Sequence, residues 1–232
     1  MMIEKVVGIL GGMGPEATVD LMNRVIRATP AKDDLDHIRM VVDNNPKVPS
    51  RIKALIEGTG PSPGPCLQEM ARKLEQWGVD FLAMPCNTAH FYHREVQEAV
   101  SIPVLDMISL SVEAVTRAVP GIDRFGLVAS TAVVNLKIYE NAFARKGVAQ
   151  VVPEAEFQNG LMAAIRTIKT GKHGSEVIQA TQRAGENLEK NGAQALLIAC
   201  TELSIISRDI RARIPVFDAA QILAETIVKE AR

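Results

Sequence analysis

Shifted along itself by 114 residues, the spacing from Cys86 to Cys200, the chain meets its own pattern again. Leu74-Glu75, Gly78 and Cys86 fall on Leu188-Glu189, Gly192 and Cys200. Between glycine and cysteine each copy carries a mainly apolar stretch, Val79 to Pro85 and Ala193 to Ala199, short enough for a buried parallel strand. Farther on, Ile102-Pro103-Val104 with Asp106 recurs as Ile214-Pro215-Val216 with Asp218 at a spacing of 112, so a small length change separates the copies. Two similar half-chains predict two similar domains related by pseudo-two-fold symmetry. Such symmetry can bring two equivalent thiols to face each other across one cleft, an arrangement that suggests chemistry on both faces of one atom.

The remaining sequence alternates strand and helix. Short apolar strands are expected at Val6 to Leu10, Ile38 to Val42, Val79 to Met84, Phe125 to Ala129, Gln150 to Val152 and Ala195 to Ala199. Helix-period stretches lie between and after them: Pro15 to Ala28, Cys66 to Trp77, Ala89 to Val100, Ile108 to Val119, Thr131 to Lys146, Glu154 to Thr170, Gly174 to Lys190, Leu203 to Ala212 and Ala219 to Ala231. The fold class is therefore α/β, each domain a parallel sheet flanked by helices, with functional residues at the carboxyl ends of strands. Boundaries at the Ile-Pro-Val segments give a first domain of residues 1–103 with 216–232 and a second of residues 104–215. The stretch Gly58 to Pro65 holds too much glycine and proline for an element and reads as a surface turn or a mobile lid.

Composition excludes several classes of partner. A net charge of -1 with no basic run offers no field for a nucleic-acid backbone. No apolar stretch approaches the roughly 20 residues that span a bilayer, and Met1-Met2-Ile3-Glu4-Lys5 lacks a signal-peptide pattern, so a cytoplasmic protein is expected. Three cysteines, Cys66, Cys86 and Cys200, are too few for a disulfide scaffold and read as free thiols.

Cys86 opens Cys86-Asn87-Thr88-Ala89-His90 just past a strand, and Cys200 opens Cys200-Thr201-Glu202 in the same context. At a helix N-terminus the unpaired N-H groups favour an anion and lower a thiol from its ordinary value of about 8.5. Either cysteine alone reads as a small buried hydrophobe; packing does not explain a matched pair with polar flanks. A zinc site using Cys86, Cys200 and His90 or His93 lacks the expected ligand spacing. A redox disulfide needs the sulfurs to close to about 2 Å, leaving no room for substrate. Thiols flanking a reacting carbon would instead stand roughly 6 to 7 Å apart. Cys66, in the loop-rich stretch and without a repeat partner, reads as structural.

The glycine loop Gly11-Gly12-Met13-Gly14-Pro15 can cradle an anion, and Gly12 to Ala17 formally fits a dinucleotide pattern with Asp43 ending the next strand. A dehydrogenase would leave the paired thiols without a task. Asn45 and Arg51 follow the second strand, where Arg51 can clamp a carboxylate through two hydrogen bonds. Ser130-Thr131 matches the glycine loop in topological position. Lys169 can be ordinary helix-end compensation or a second clamp. Asp106 and Asp218 are adequately explained as helix caps.

These motifs, spread over essentially the whole length, resemble the cofactor-independent aspartate/glutamate racemase superfamily, and most closely its aspartate racemases. The likeness is carried by Gly8-Ile9-Leu10-Gly11-Gly12-Met13-Gly14-Pro15, Asn44-Asn45-Pro46 with Arg51, Pro85-Cys86-Asn87-Thr88-Ala89-His90 and Cys200-Thr201-Glu202. Ala199 stands where many relatives carry glycine. The resemblance implies catalysis by Cys86 and Cys200 with no pyridoxal phosphate, no other cofactor and no metal. It implies a homodimer acting on a small acidic amino acid. Arg51 and Lys169 match the basic residues that hold an acidic side chain, and Asn87, Thr88, Ser130, Thr131 and Thr201 match carboxylate binders. Met13, Asn45 and Glu202 complete the expected substrate contacts. Two rivals are a dicarboxylate isomerase or lyase of the same superfamily, such as a maleate isomerase, and a non-catalytic dicarboxylate-binding protein.

Overall fold

The structure is a computed structural model that describes residues 4–232; the first three residues of the sequence-derived first domain lie outside the described residues. In chain order the elements are β1 (Val7–Gly11), α1 (Pro15–Ala28), β2 (Met40–Asn44), α2 (Gly64–Gln76), β3 (Phe81–Ala83), α3 (His93–Glu98), α4 (Met107–Ala118), β4 (Arg124–Val128), α5 (Thr131–Asn135), α6 (Ile138–Ala144), β5 (Ala149–Val151), α7 (Ala155–Ile168), α8 (Ser175–Lys190), β6 (Ala195–Ile198), α9 (Thr201–Ser204), β7 (Val216–Asp218) and α10 (Ala219–Ala231). They form two compact units, one holding the residues up to Met107 together with Gln221–Arg232, the other Ile108–Ala220. Among the described residues no helix is long and apolar enough to cross a membrane.

The first unit has a parallel sheet of order β2-β1-β3, extended beside β3 by a parallel bridge from Leu82 to Val104. The second has the parallel order β5-β4-β6-β7. The duplication shows in individual bonds. Leu82 N-H donates to Pro103 O and Leu196 N-H to Pro215 O, each at 2.8 Å. Asp80 N-H donates to Val6 O at 2.8 Å, and Gln194 N-H to Arg124 O at 2.9 Å. Because Val104 stays with β3 and Val216 pairs with β6, the chain passes between units a few residues beyond the 103/104 and 215/216 boundaries placed by sequence.

Helix α1 begins where sequence places it. Pro15 occupies the first turn with its preset φ, Glu16 and Arg27 complement the helix ends, and Ala17, Leu21 and Val25 turn one apolar stripe inward. Three helical expectations need correction. The single helix Thr131 to Lys146 is α5 and α6, broken at Lys137, which takes φ 53. Ala89 to Val100 starts instead as a 3-10 turn, Thr88–Tyr92, before α3. Leu203 to Ala212 is the end of α9 followed by a 3-10 turn, Ser207–Asp209, because the Ser204 and Ser207 hydroxyls both donate to Asp218 at 2.6 Å and hold the segment against the end of β7. Glycine and proline confine the irregular stretch to residues before α2, and Cys66 lies in the first turn of that helix rather than in a loop.

Gly12 shows why the first loop is glycine-rich. Its φ of 91 is open to glycine, and a Cβ there would collide with the Asn45 backbone. Its N-H donates to Thr18 Oγ1 at 2.9 Å, tying the loop to α1. Gly12→Ala is expected to lose about 2 to 3 kcal/mol of unfolding free energy, read by urea denaturation, since it adds a positive-φ penalty to a backbone clash.

Candidate active site

In the first unit β1, β2 and β3 run parallel, so their carboxyl ends share one edge. Met13 follows β1, Asn45 follows β2, and Cys86 lies shortly after β3. Arg51 donates from Nη1 to Val48 O (3.3 Å) and Pro49 O (3.0 Å) and from Nη2 to Met13 O (3.4 Å), so it binds together the loops after β1 and β2. Asn45 turns its Nδ2 toward Cys66 Sγ at 3.8 Å and Met70 Sδ at 3.6 Å, while its Oδ1 accepts from Lys47 N-H at 2.9 Å. Cys86, Asn87 and Met13 are buried and Thr88 is half-buried.

The Cys86 carbonyl accepts from Ala89 N-H at 3.1 Å and from His90 Nδ1 at 2.9 Å. A carbonyl only accepts, so His90 carries its proton on Nδ1. Its Nε2 in turn accepts from Met107 N-H at 3.1 Å. His90 is therefore neutral in one fixed tautomer. Burial lowers its pKa, against opposing contributions from the Cys86 carbonyl and the Asp106 charge. With both ring nitrogens engaged, and His93 Nε2 on Val104 O at 3.0 Å, these histidines are not arranged as zinc ligands. Among the described residues no group of three or more His, Cys, Asp or Glu side chains could hold a metal ion.

In the second unit Ser130 and Thr131 follow β4, and Cys200 and Thr201 follow β6. Ser130 caps α5 by accepting from Val133 N-H at 3.4 Å. Cys200 is the N-cap residue of α9 and packs into the hydrophobic core of the second unit, as Cys86 does into that of the first. Its Sγ donates to Glu202 Oε2 at 3.2 Å, and Glu202 Oε1 forms an ion pair with Lys169 Nζ. Lys169 thus stands beside the second cysteine, held by Glu202.

This arrangement corrects the expectation that a helix start lowers the Cys200 pKa. Burial pushes it well above the ordinary thiol value, and the charge and accepted hydrogen bond of Glu202 push the same way. The Leu203 N-H and the Lys169 charge act in the opposite sense. Four residues of helix give a weak dipole, whereas a carboxylate in contact with the sulfur acts at full strength.

Gln158 and Ser204, which sequence reasoning did not single out, and His90, weighed there only as a zinc ligand, brace the segments that follow the strands. Gln158 donates from Nε2 to Ala129 O (3.0 Å) and Thr131 Oγ1 (3.2 Å), and its buried Oε1 has no hydrogen-bonding partner. The contact to Ala129 O settles which amide atom is nitrogen. His90 and Ser204 share the 114-residue spacing and both sit at the carbonyl of their cysteine, Ser204 through its N-H at 3.0 Å. Gln158 had no signal of this kind.

The sequence profile described as Asp/Glu/Hydantoin racemase matches residues 10–227. A broad specificity amino-acid racemase, RacX, of Bacillus subtilis (strain 168) is 29% identical over 236 residues, covering 96% of both chains. The structure of an aspartate racemase from Picrophilus torridus superposes with a TM-score of 0.87 at 32% identity, covering 98% of this chain and 94% of that one. A glutamate racemase from Francisella tularensis in complex with D-glutamate, at 19% identity and a TM-score of 0.67 over 99% of this chain and 81% of its own, shares the fold.

His90 also generates a pH prediction. Its folded pKa lies below the ordinary 6.5, so its contribution to stability is fully present above that value and is lost as the pH falls below it. Unfolding free energy measured from pH 7.5 to 5 is expected to fall less steeply in His90→Gln than in the unaltered protein.

Proposed function

The chain belongs to the Asp/Glu/hydantoin racemase family and is an amino-acid racemase, an isomerase, and we propose that it interconverts L- and D-aspartate by cofactor-independent proton transfer between Cys86 and Cys200. The observation that carries this reading is the matched placement of the two thiols, each just past the strand that pairs with its sheet's central strand. In each direction one cysteine, as thiolate, takes the α-proton from one face of the substrate. The other, as thiol, delivers a proton to the opposite face. The carbon inverts, and the two sulfurs end with their protonation exchanged.

The α-hydrogen beside a carboxylate is a weak acid, so the reaction needs donors preset around the developing enediolate. Backbone N-H groups after β1, β3, β4 and β6 and the hydroxyls of Thr88, Ser130, Thr131 and Thr201 are assigned that role, with Asn87. One such donor is typically worth about 3 to 4 kcal/mol. The substrate ammonium needs an acceptor, which Gln158 Oε1 offers in a site otherwise rich in donors. Arg51 is assigned the side-chain carboxylate, with Lys169 as a second cation, and Met13 and Asn45 line the loops it holds. The choice of aspartate follows the resemblance and the similarity to the Picrophilus torridus aspartate racemase.

Chiral chromatography after incubation with each enantiomer of aspartate and glutamate, with no cofactor added, tests the reading. Cys86→Ala and Cys200→Ala are each expected to lower racemisation at least about 1,000-fold, within the range of general acid-base contributions. Each should retain exchange of the α-hydrogen in D2O for one enantiomer only. Near-normal racemisation by both variants would exclude the two-base scheme, and products other than the opposite enantiomer would point to a different reaction of the superfamily.

A further inference from the structure

The two cysteines repeat, but what lies two residues after them does not. At the 114-residue spacing the partner of Glu202 is Thr88, so one copy carries a carboxylate where the other carries a hydroxyl. Glu202 is buried, its Oε2 accepts the Cys200 Sγ-H at 3.2 Å, and its Oε1 pairs with Lys169. Both oxygens of one carboxylate are therefore committed, one to the sulfur and one to the cation. The ion pair with Lys169 offsets the burial of that carboxylate, and a negative charge in contact with the sulfur opposes loss of the thiol proton.

We propose that Glu202 is a positioning residue that holds the proton on Cys200, so that the resting protein carries a thiol at 200. Its role is to set the protonation state of the pair rather than to bind substrate. The upward shift at Cys200, caused by burial and then by Glu202, agrees with this geometry. Within the second unit the charged groups acting on the sulfur are Glu202 from α9 and Lys169 from the end of α7. They act with opposite sign. The consequence for turnover rests on the racemase reading: the enantiomer that needs Cys200 as its base must first have that proton removed against the Glu202 charge. The hold of Glu202 on the Cys200 proton is itself independent of that reading.

The test is the pH dependence of iodoacetamide alkylation of the intact protein from pH 6 to 10.5, with peptide mass spectrometry resolving Cys66, Cys86 and Cys200. Cys200 is expected to react with a midpoint above that of an ordinary free thiol. Glu202→Gln, which keeps the side-chain shape and removes the charge, is expected to lower the Cys200 midpoint by about one pH unit or more and leave Cys86 in place. Lys169→Met is expected to move the Cys200 midpoint upward, a reversal of sign that a general loosening of the unit does not produce. An unchanged Cys200 midpoint in Glu202→Gln, a downward move in Lys169→Met, or a Cys200 midpoint at or below that of an ordinary free thiol in the unaltered protein overturns the proposal. A protein that shows the expected Cys200 midpoints yet fails to racemise any acidic amino acid overturns the racemase reading and leaves the assignment of Glu202 standing.

Discussion

At Gly8 and Gly126 a strand and its neighbours approach more closely than a side chain allows. A Cβ on Gly8 would come within 2.6 Å of Leu82 and 2.9 Å of Val79; on Gly126 it would come within 2.8 Å of Leu196 and 3.0 Å of Ala193. Leu74 and Leu188 complete the same contact from α2 and α8. Each buried leucine contributes about 1.5 to 3 kcal/mol by leaving water, so the glycine gives up its own side chain to let two larger ones pack. The result fixes the central strand, the helix over it and the next strand as one block in each unit. Cys86 and Cys200 stand at the same exit from that block, and their positions are a consequence of packing several residues away.

The backbone repeat carries side chains that have diverged. His90 and Ser204 occupy equivalent places, each beside a cysteine carbonyl, but His90 joins it to the Met107 N-H while the Ser204 hydroxyl goes to Asp218. Arg51 and Lys169 lie in corresponding parts of the chain, between the outer strand of a sheet and the helix that leads to the strand before a cysteine: Arg51 between β2 and α2, Lys169 at the end of α7, between β5 and α8. Arg51 is held by three backbone carbonyls and keeps a full positive charge, whereas Lys169 shares its charge with a carboxylate. The first unit therefore presents a cation and the second a nearly neutral pair. The two units thus share strand pairing and differ in electrostatics.

Legibility followed period and local chemistry. Pro15, Glu16 and the stripe Ala17, Leu21, Val25 mark α1 within the sequence itself, and the apolar runs before each cysteine mark β3 and β6. The break at Lys137 was not legible because no glycine or proline stands there. The β-branched Thr131, Val133 and Val134 weaken the first half of that helix, yet a non-glycine residue in the left-handed region gives no warning. The places of the cysteines, Arg51 and the Ser130-Thr131 turn just past strands are legible because they end strands or join motifs. The contacts of Gln158 and Glu202 are not, since both depend on partners far away in sequence: Thr131 for one, Lys169 for the other. At Cys200 the local effect of the helix start is outweighed by burial and by a carboxylate two residues on that points back at the sulfur.

That carboxylate meets a constraint set by the reaction class. Mirror-image amino acids have equal free energies in solution, so the equilibrium constant is one and kcat/KM must be the same for both directions whatever surrounds the two sulfurs. Unequal thiols can therefore redistribute free energy only between binding and turnover, by making one protonation state of the unliganded protein more populated than the other. A difference of one pKa unit is about 1.4 kcal/mol. A symmetric pair divides the resting protein equally between the two states, and a charge beside one thiol biases that division toward a single state. On the two-base reading, Glu202 beside Cys200 and Thr88 after Cys86 make this protein the biased kind, and the ratio of the two kcat values, rather than of the two kcat/KM values, is where the broken symmetry of the duplication becomes chemistry.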